Sequence, residues 1–240
     1  MNFTQTILRL VTQGASAYIS ARSLSNTQTR PDTIAGLHLA EVGAVPFLEA
    51  LSERAAREGD SWLAESLLRH AQDERRHGAI FAQALKRTGR SLIDFQSLRT
   101  EGKGQPRSPF FEKYFEGHTA EELKAENIEW GFMMASTHVL EDDAQRDFVR
   151  MANALPAADP LRQGMYSIAA DEGGHAAYLK EALVRRLGRR EAEALIETFR
   201  VRKVEAIVAL VGEMLQKGKV GGPELTQNTD SALSELAQMA

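Results

Sequence analysis

The chain has 240 residues, 43% apolar and 26% charged, with a net charge of −4; this is the make-up of an ordinary globular protein with volume for one buried core, and it offers no electrostatic case for binding nucleic acid. There is no cysteine, which excludes disulfides, thiolate catalysis, cysteine-ligated iron–sulfur clusters and a rubredoxin-type iron centre. No run approaches the length of an apolar membrane span, and Arg9 interrupts the short apolar start of the chain, so neither a span nor a signal peptide is expected and the cytoplasm is the expected compartment.

Apolar residues recur at three- and four-residue spacing and β-branched alternation is nearly missing, so an all-α fold in a single domain is predicted. An amphipathic helix is expected over residues 4–24, with Ile7, Leu8, Val11, Tyr18 and Ile19 as its buried stripe. The first long helix should begin after Pro31, capped by Asp32, and run towards Gly59 with a bend at Pro46. A second should open at Asp60 and close at Gly89. Residues 90–118, punctuated by Gly102, Gly104, Pro106 and Pro109 and ending in the aromatic cluster Phe110, Phe111, Tyr114 and Phe115, read as a long crossover. Thr119 and Glu122 form a capping-box pattern that should open a third helix to about Ala154. A fourth follows the turn at Leu155–Pro160 and ends at Gly188, and an Arg-rich fifth covers about 189–217. Interleaved Glu residues make the polar side of that last helix a solvated face. The tail 218–240 should hold one further short helix at most.

Two strings repeat, Asp73-Glu74-Arg75-Arg76-His77 and Asp171-Glu172-Gly173-Gly174-His175. Glu and His three residues apart share a helix face and can offer an oxygen and an imidazole nitrogen to one cation. Random placement gives about 0.6 Glu-x-x-His matches in a chain of this composition, so one match means little. Here there are two, each preceded by Asp and each matched upstream by a His-x-x-Glu, His38 to Glu41 and His138 to Glu141. Glu41 and Glu74 are equidistant from the predicted turn near Gly59, and Glu141 and Glu172 from the one near Pro156. In two antiparallel hairpins both pairs would lie roughly 24 Å from their turns, level with each other. Packed together, the hairpins gather four carboxylates and two imidazoles, a set too costly to bury unless cations balance it. Mixed oxygen and nitrogen donors favour iron or manganese, leave zinc open and disfavour magnesium or calcium.

These residues resemble the ferritin-like superfamily of di-iron carboxylate proteins, over about residues 31–188. The resemblance implies a four-helix bundle with a long crossover between its second and third helices and extra N- and C-terminal helices. It implies Glu41, Glu74, His77, Glu141, Glu172 and His175 as ligands of two iron ions, with manganese as the other metal the donors suit. It further implies that Asp73 supports His175 and Asp171 supports His77. His38 and His138 are expected beside the ligands or in the core, His70 as structural, and His118 in a loop. Gly173-Gly174 suggests close approach of another helix, the fifth or that of a second subunit in a homodimer. Phe81 stands where a radical-forming reductase subunit has Tyr, and Gln145 where hydrocarbon monooxygenases have Thr. The implied function is therefore a stand-alone di-iron oxidase or oxygenase. It would use dioxygen, an organic substrate and a separate electron donor, with Gly43, Ala44, Phe81, Met134 and Ile168 near the substrate. An iron-oxidising or iron-handling protein without organic substrate is the alternative, followed by a tRNA-modifying hydroxylase or a di-manganese catalase-like protein.

Overall fold

The computed structural model describes residues 20–93, 108–216 and 225–228. The predicted helix at 4–24 lies outside them except for its last turns: residues 20–25 are helical and Leu24 is fully buried. The suggested short helix in the tail and most of the crossover also lie outside the described residues.

Helix α1 (Arg30–Arg57) and helix α2 (Ser61–Lys86) form the first hairpin. The chain turns on Gly59, whose φ of 84° is costly for any side chain, and Asp60 then caps α2 by accepting a hydrogen bond from Leu63 N. Asp32 does not cap α1, as its position suggested. The helix begins two residues earlier, at Arg30, and Asp32 instead accepts from Leu225 N and Thr226 Oγ1, tying the C-terminal strand to the bundle. Strands β1 (Arg90–Leu92) and β2 (Thr226–Asn228) pair antiparallel, a feature too short to leave a period in the sequence.

Helix α3 (Pro109–Tyr114) condenses the aromatic cluster of the crossover. The capping box forms as expected, with Thr119 N donating to Glu122 and Glu122 N to Thr119 Oγ1. It opens no long helix, because residues 120–128 run as turns and bends. Arg54 donates to the carbonyls of Ala125 and Ile128, and this cross-chain pairing fixes the segment in its irregular course. Helix α4 (Trp130–Ala154) starts about ten residues later than predicted, capped by Glu129, which accepts from Gly131 N and Phe132 N. Helix α5 (Pro160–Leu187) follows, with Asp159 as cap and Pro160 in the first turn, where its missing N–H costs nothing. Helix α6 (Arg189–Gln216) starts directly after Gly188.

α1 packs on α2 and α4 on α5, and the hairpins meet through α2 and α5, whereas α1 and α4 stand apart. α6 lies across α3, α4 and α5, where Phe199 packs against Tyr114 and Phe132. The core has two apolar clusters. One holds Leu51, Leu67, Met133 and Leu183, the other Ile34, Phe81, Met151 and Met165. Between them, near the middle of all four bundle helices, lies a polar layer. By length and composition α1 is apolar enough to cross a membrane, a property that a search for uninterrupted apolar runs does not find. Its buried face nonetheless carries Glu41 into the polar layer.

Candidate metal centre

Each bundle helix supplies one Glu to that layer: Glu41 from α1, Glu74 from α2, Glu141 from α4 and Glu172 from α5. One turn beyond Glu74 and Glu172 come His77 and His175, both buried. Donor atoms gather in two groups that could each hold a metal ion, one of Glu41, Glu74, His77 and Glu172, the other of His70, Glu74, Glu141 and His175. Atoms in each group lie within 4.8 Å of one another.

The carboxylates of α2 and α5 face both groups. Glu172 Oε1 is 3.3 Å from His77 Nδ1 and its Oε2 3.2 Å from His175 Nδ1. Glu74 Oε2 is 3.7 Å from His77 Nδ1 and its Oε1 3.6 Å from His175 Nδ1. Glu41 approaches His77 alone, at 3.4 Å. His77 Nδ1 is buried among three carboxylates, yet none is aligned to accept a hydrogen bond from it. An orphaned buried nitrogen facing carboxylates is what a cation ligand looks like when only protein atoms are counted.

Both ligand-type histidines use Nε2 for the opposite half. His175 Nε2 is 3.3 Å from Asp73 Oδ2, and His77 Nε2 is 3.2 Å from Asp171 Oδ2. Arg76 donates to both aspartates at 2.8 Å. His38 and His138 stay outside the two groups: each donates Nδ1–H to a carbonyl at 2.8 Å, His38 to Gly78 and His138 to Ala176. These are core histidines that pin α1 to α2 and α4 to α5. His118 follows the turn after α3, its ring against Phe132.

The electrostatics are those of a crowded acidic site. Burial pushes Glu41 up to about 9, with Glu74 and Glu172 adding to the rise and His77 opposing it. Burial and the neighbouring Glu172 carry Glu141 up to about 8. Glu74 is held low despite its burial, because the hydrogen bond from His70 and the proximity of His77 outweigh it. His77 is driven up to about 12: burial works against its charge, but Glu172, Glu41 and Glu74 more than compensate. Burial and the charge of His70 depress His175. Without a cation, protons held on Glu41, Glu141 and His77 offset part of the crowded negative charge, a task that divalent cations perform without the protons.

Between α1 and α4 a cavity of about 480 Å³ reaches this layer. Phe47 and Leu48 of α1, Met133 and Leu140 of α4, Phe111 of α3, and Phe115, Leu123 and Ile128 of the following segment wall it. At its floor are Glu41, Glu74, Glu141, Glu172 and His70. Of the residues expected near a substrate, Gly43 and Ala44 line it, whereas Phe81, Met134 and Ile168 are fully buried core. That the crossover shapes a substrate entrance was expected, but its individual wall residues were not, because no periodicity links α3 and residues 115–128 to α1.

His70 also escaped, since it reads as structural two turns before His77. Its position one turn before Glu74, on the same face, is the signal that could have found it. Another helix does approach closely at Gly173, where a Cβ would meet the Gln145 side chain, but that helix is α4 and not the expected α6, and a Cβ at Gly174 would meet nothing within the chain.

No protein-family model, curated protein or solved structure matches the chain. The site therefore has to be read from its own chemistry.

Proposed function

We propose that the protein is a ferritin-like dinuclear metal oxidoreductase that activates dioxygen to oxidise an uncharged, largely apolar organic substrate. Four carboxylates and two imidazoles, all buried but the partly exposed Glu141 and converging from four helices, suit two divalent first-row metals, iron before manganese. Glu74 and Glu172, whose carboxylates face both groups, would help to hold both ions, with Glu41 and His77 holding one and Glu141 and His175 the other. The metals, when bound, supply the redox chemistry that dioxygen requires.

The cavity carries the reading of an organic substrate. A protein that only oxidises or stores iron needs a polar path for a hydrated cation, yet among the described residues the walls are mainly aromatic and aliphatic, with Ser136 and Thr137 but no Lys or Arg. At the packing density of protein interiors the space takes a molecule of about 15–20 non-hydrogen atoms. The walls would hold it by apolar contact and exclude water, while the carboxylate floor faces its reacting end. In an oxygenation, one oxygen atom enters the product and the other leaves as water, with electrons from a separate reductase.

The test is to load the chelated chain anaerobically with ferrous iron and then admit air, a chemical reductant and a panel of medium-chain aldehydes, alcohols and bicyclic aromatics. Two irons per chain and an oxygenated product are expected. Ala44→Phe, which fills the cavity wall, should abolish product while leaving iron loading intact. Fewer than about one metal per chain, unchanged by Glu74→Ala, would sink the dimetal reading. Full loading in a large cage that acts on no organic substrate would favour iron handling.

A further inference from the structure

His70 is the one imidazole at the polar layer that the repeat does not supply. It is 2% exposed, and its ring stacks on that of His175 with centroids 3.6 Å apart. Its Nε2 lies 3.0 Å from Glu74 Oε1 and 3.5 Å from Glu141 Oε1, aimed between two carboxylates of the second metal group. Its Nδ1 is 2.8 Å from the hydroxyl of Tyr178, which lies one turn beyond His175 on α5. The offset that carries His77 onto His175 carries His70 onto Ile168 and Ile80 onto Tyr178. The two halves of the site are thus unequal at this pair of residues.

We propose that His70, through Nε2, is a seventh protein ligand, bound to the metal held by Glu141 and His175, and that Tyr178 sets its tautomer. The proposal rests on the dimetal reading above. In the tautomer that donates Nδ1–H to the Tyr178 hydroxyl the lone pair sits on Nε2, directed at the point where Glu74, Glu141 and His175 already converge, so a bound metal would replace the contact that Nε2 makes with Glu74 without it. The alternative is a core histidine that only donates a hydrogen bond. His38 and His138 show what that looks like in this fold: each gives Nδ1–H to a backbone carbonyl and joins neither metal group. His70 instead has a hydroxyl behind it and carboxylates ahead. The position it completes is richer in nitrogen than the one at Glu41 and His77, so the two metals should bind with different affinities.

Cobalt(II), whose visible bands report nitrogen ligation, tests this on the chelated full chain. Wild type is expected to bind two ions in separable steps. His70→Ala should weaken one step by at least tenfold and leave the other unchanged, and added imidazole should restore the lost bands, which a merely structural role would not allow. His70→Gln keeps a hydrogen-bond donor for Glu74 and Glu141 without an imidazole, so it covers the case in which His70→Ala fails to fold. It too should lose one step. Tyr178→Phe should perturb the same step alone. Two wild-type steps with wild-type bands in His70→Gln would overturn the proposal while leaving the dimetal reading in place. A wild-type chain that binds fewer than about one cobalt overturns both.

Discussion

At the scale of single residues, the most consequential arrangement outside the proposed ligands is the Arg76 clamp. Asp73 and Asp171 each hold Nε2 of the opposite half's histidine, and Arg76 bonds both aspartates at once. Burial opposes the charge of Asp73, but Arg76 and His175 outweigh it and hold the carboxyl below its ordinary range. With Nε2 occupied in this way, the Nδ1 atoms of His77 and His175 are the ones presented to the carboxylates. Partners of this kind orient a ligand and raise its basicity, and losing one costs about 10–100-fold in metal affinity. Asp171→Asn is therefore expected to lower affinity by about that factor, read by competition with a chromophoric chelator, with helical content unchanged. Unaltered affinity would mean that the aspartate is a surface charge and nothing more. The six ligand-type residues were legible because Asp73, Glu74 and His77 recur at one offset in the second half and Glu41 recurs two residues further on, whereas the crossed Asp–His pairing was implied by the resemblance. His70 and Tyr178 were not legible, because Ile168 and Ile80 break the repeat at their counterparts.

At the scale of elements, the hairpins were legible from their punctuation: Gly59 and Asp60 at one turn, Asp159 and Pro160 at the other. The start of α4 was not, since the capping box at Thr119 is a local signal, and the Arg54 bonds across 71 and 74 residues of sequence tie down the stretch that follows. Glycines inside the helices divide in the same way, by what a side chain would meet. A Cβ on Gly78 would stand 2.5 Å from Val42 Cγ1, where α1 and α2 approach closely, and Val has one stiff rotamer in a helix. A Cβ on Gly174, which is exposed, would meet nothing. Gly174→Ala should therefore stabilise the fold by up to about 1 kcal/mol, the usual helix preference for Ala. Gly78→Ala should destabilise it by about 1–3 kcal/mol, since forced overpacking exceeds that gain. Thermal unfolding of the two variants checks both signs, and a shift of the same direction in each would show that α1 yields easily at this contact.

At the scale of the whole molecule, the polar layer divides two apolar clusters, so its charge state bears on the stability of the entire bundle. The proton has to stand in wherever a cation does not. Glu41 at about 9 and Glu141 at about 8, against an ordinary 4.5, contribute stability that is full below pH 4.5 and is lost as pH rises through those values. Glu74 and Asp73, both lowered, act in the opposite sense: their contribution is present above the ordinary carboxylate range and disappears in acid. Chelated protein should accordingly be most stable at mildly acidic pH and weaken steadily towards pH 9. A bound metal pair removes the need for those protons, so the loaded protein should keep its stability on the alkaline side. Loading near neutral pH must also expel protons from Glu41, Glu141 and His77, and affinity should rise with pH until these groups ionise unaided. Melting temperatures of chelated and metal-loaded protein between about pH 5 and pH 9 measure the first effect. Calorimetric titration in buffers of different ionisation enthalpy counts the released protons. If chelated and loaded proteins weakened in parallel with rising pH and no protons were released, the carboxylates of the layer would already be ionised without metal, and the four-helix core would owe nothing to a cation.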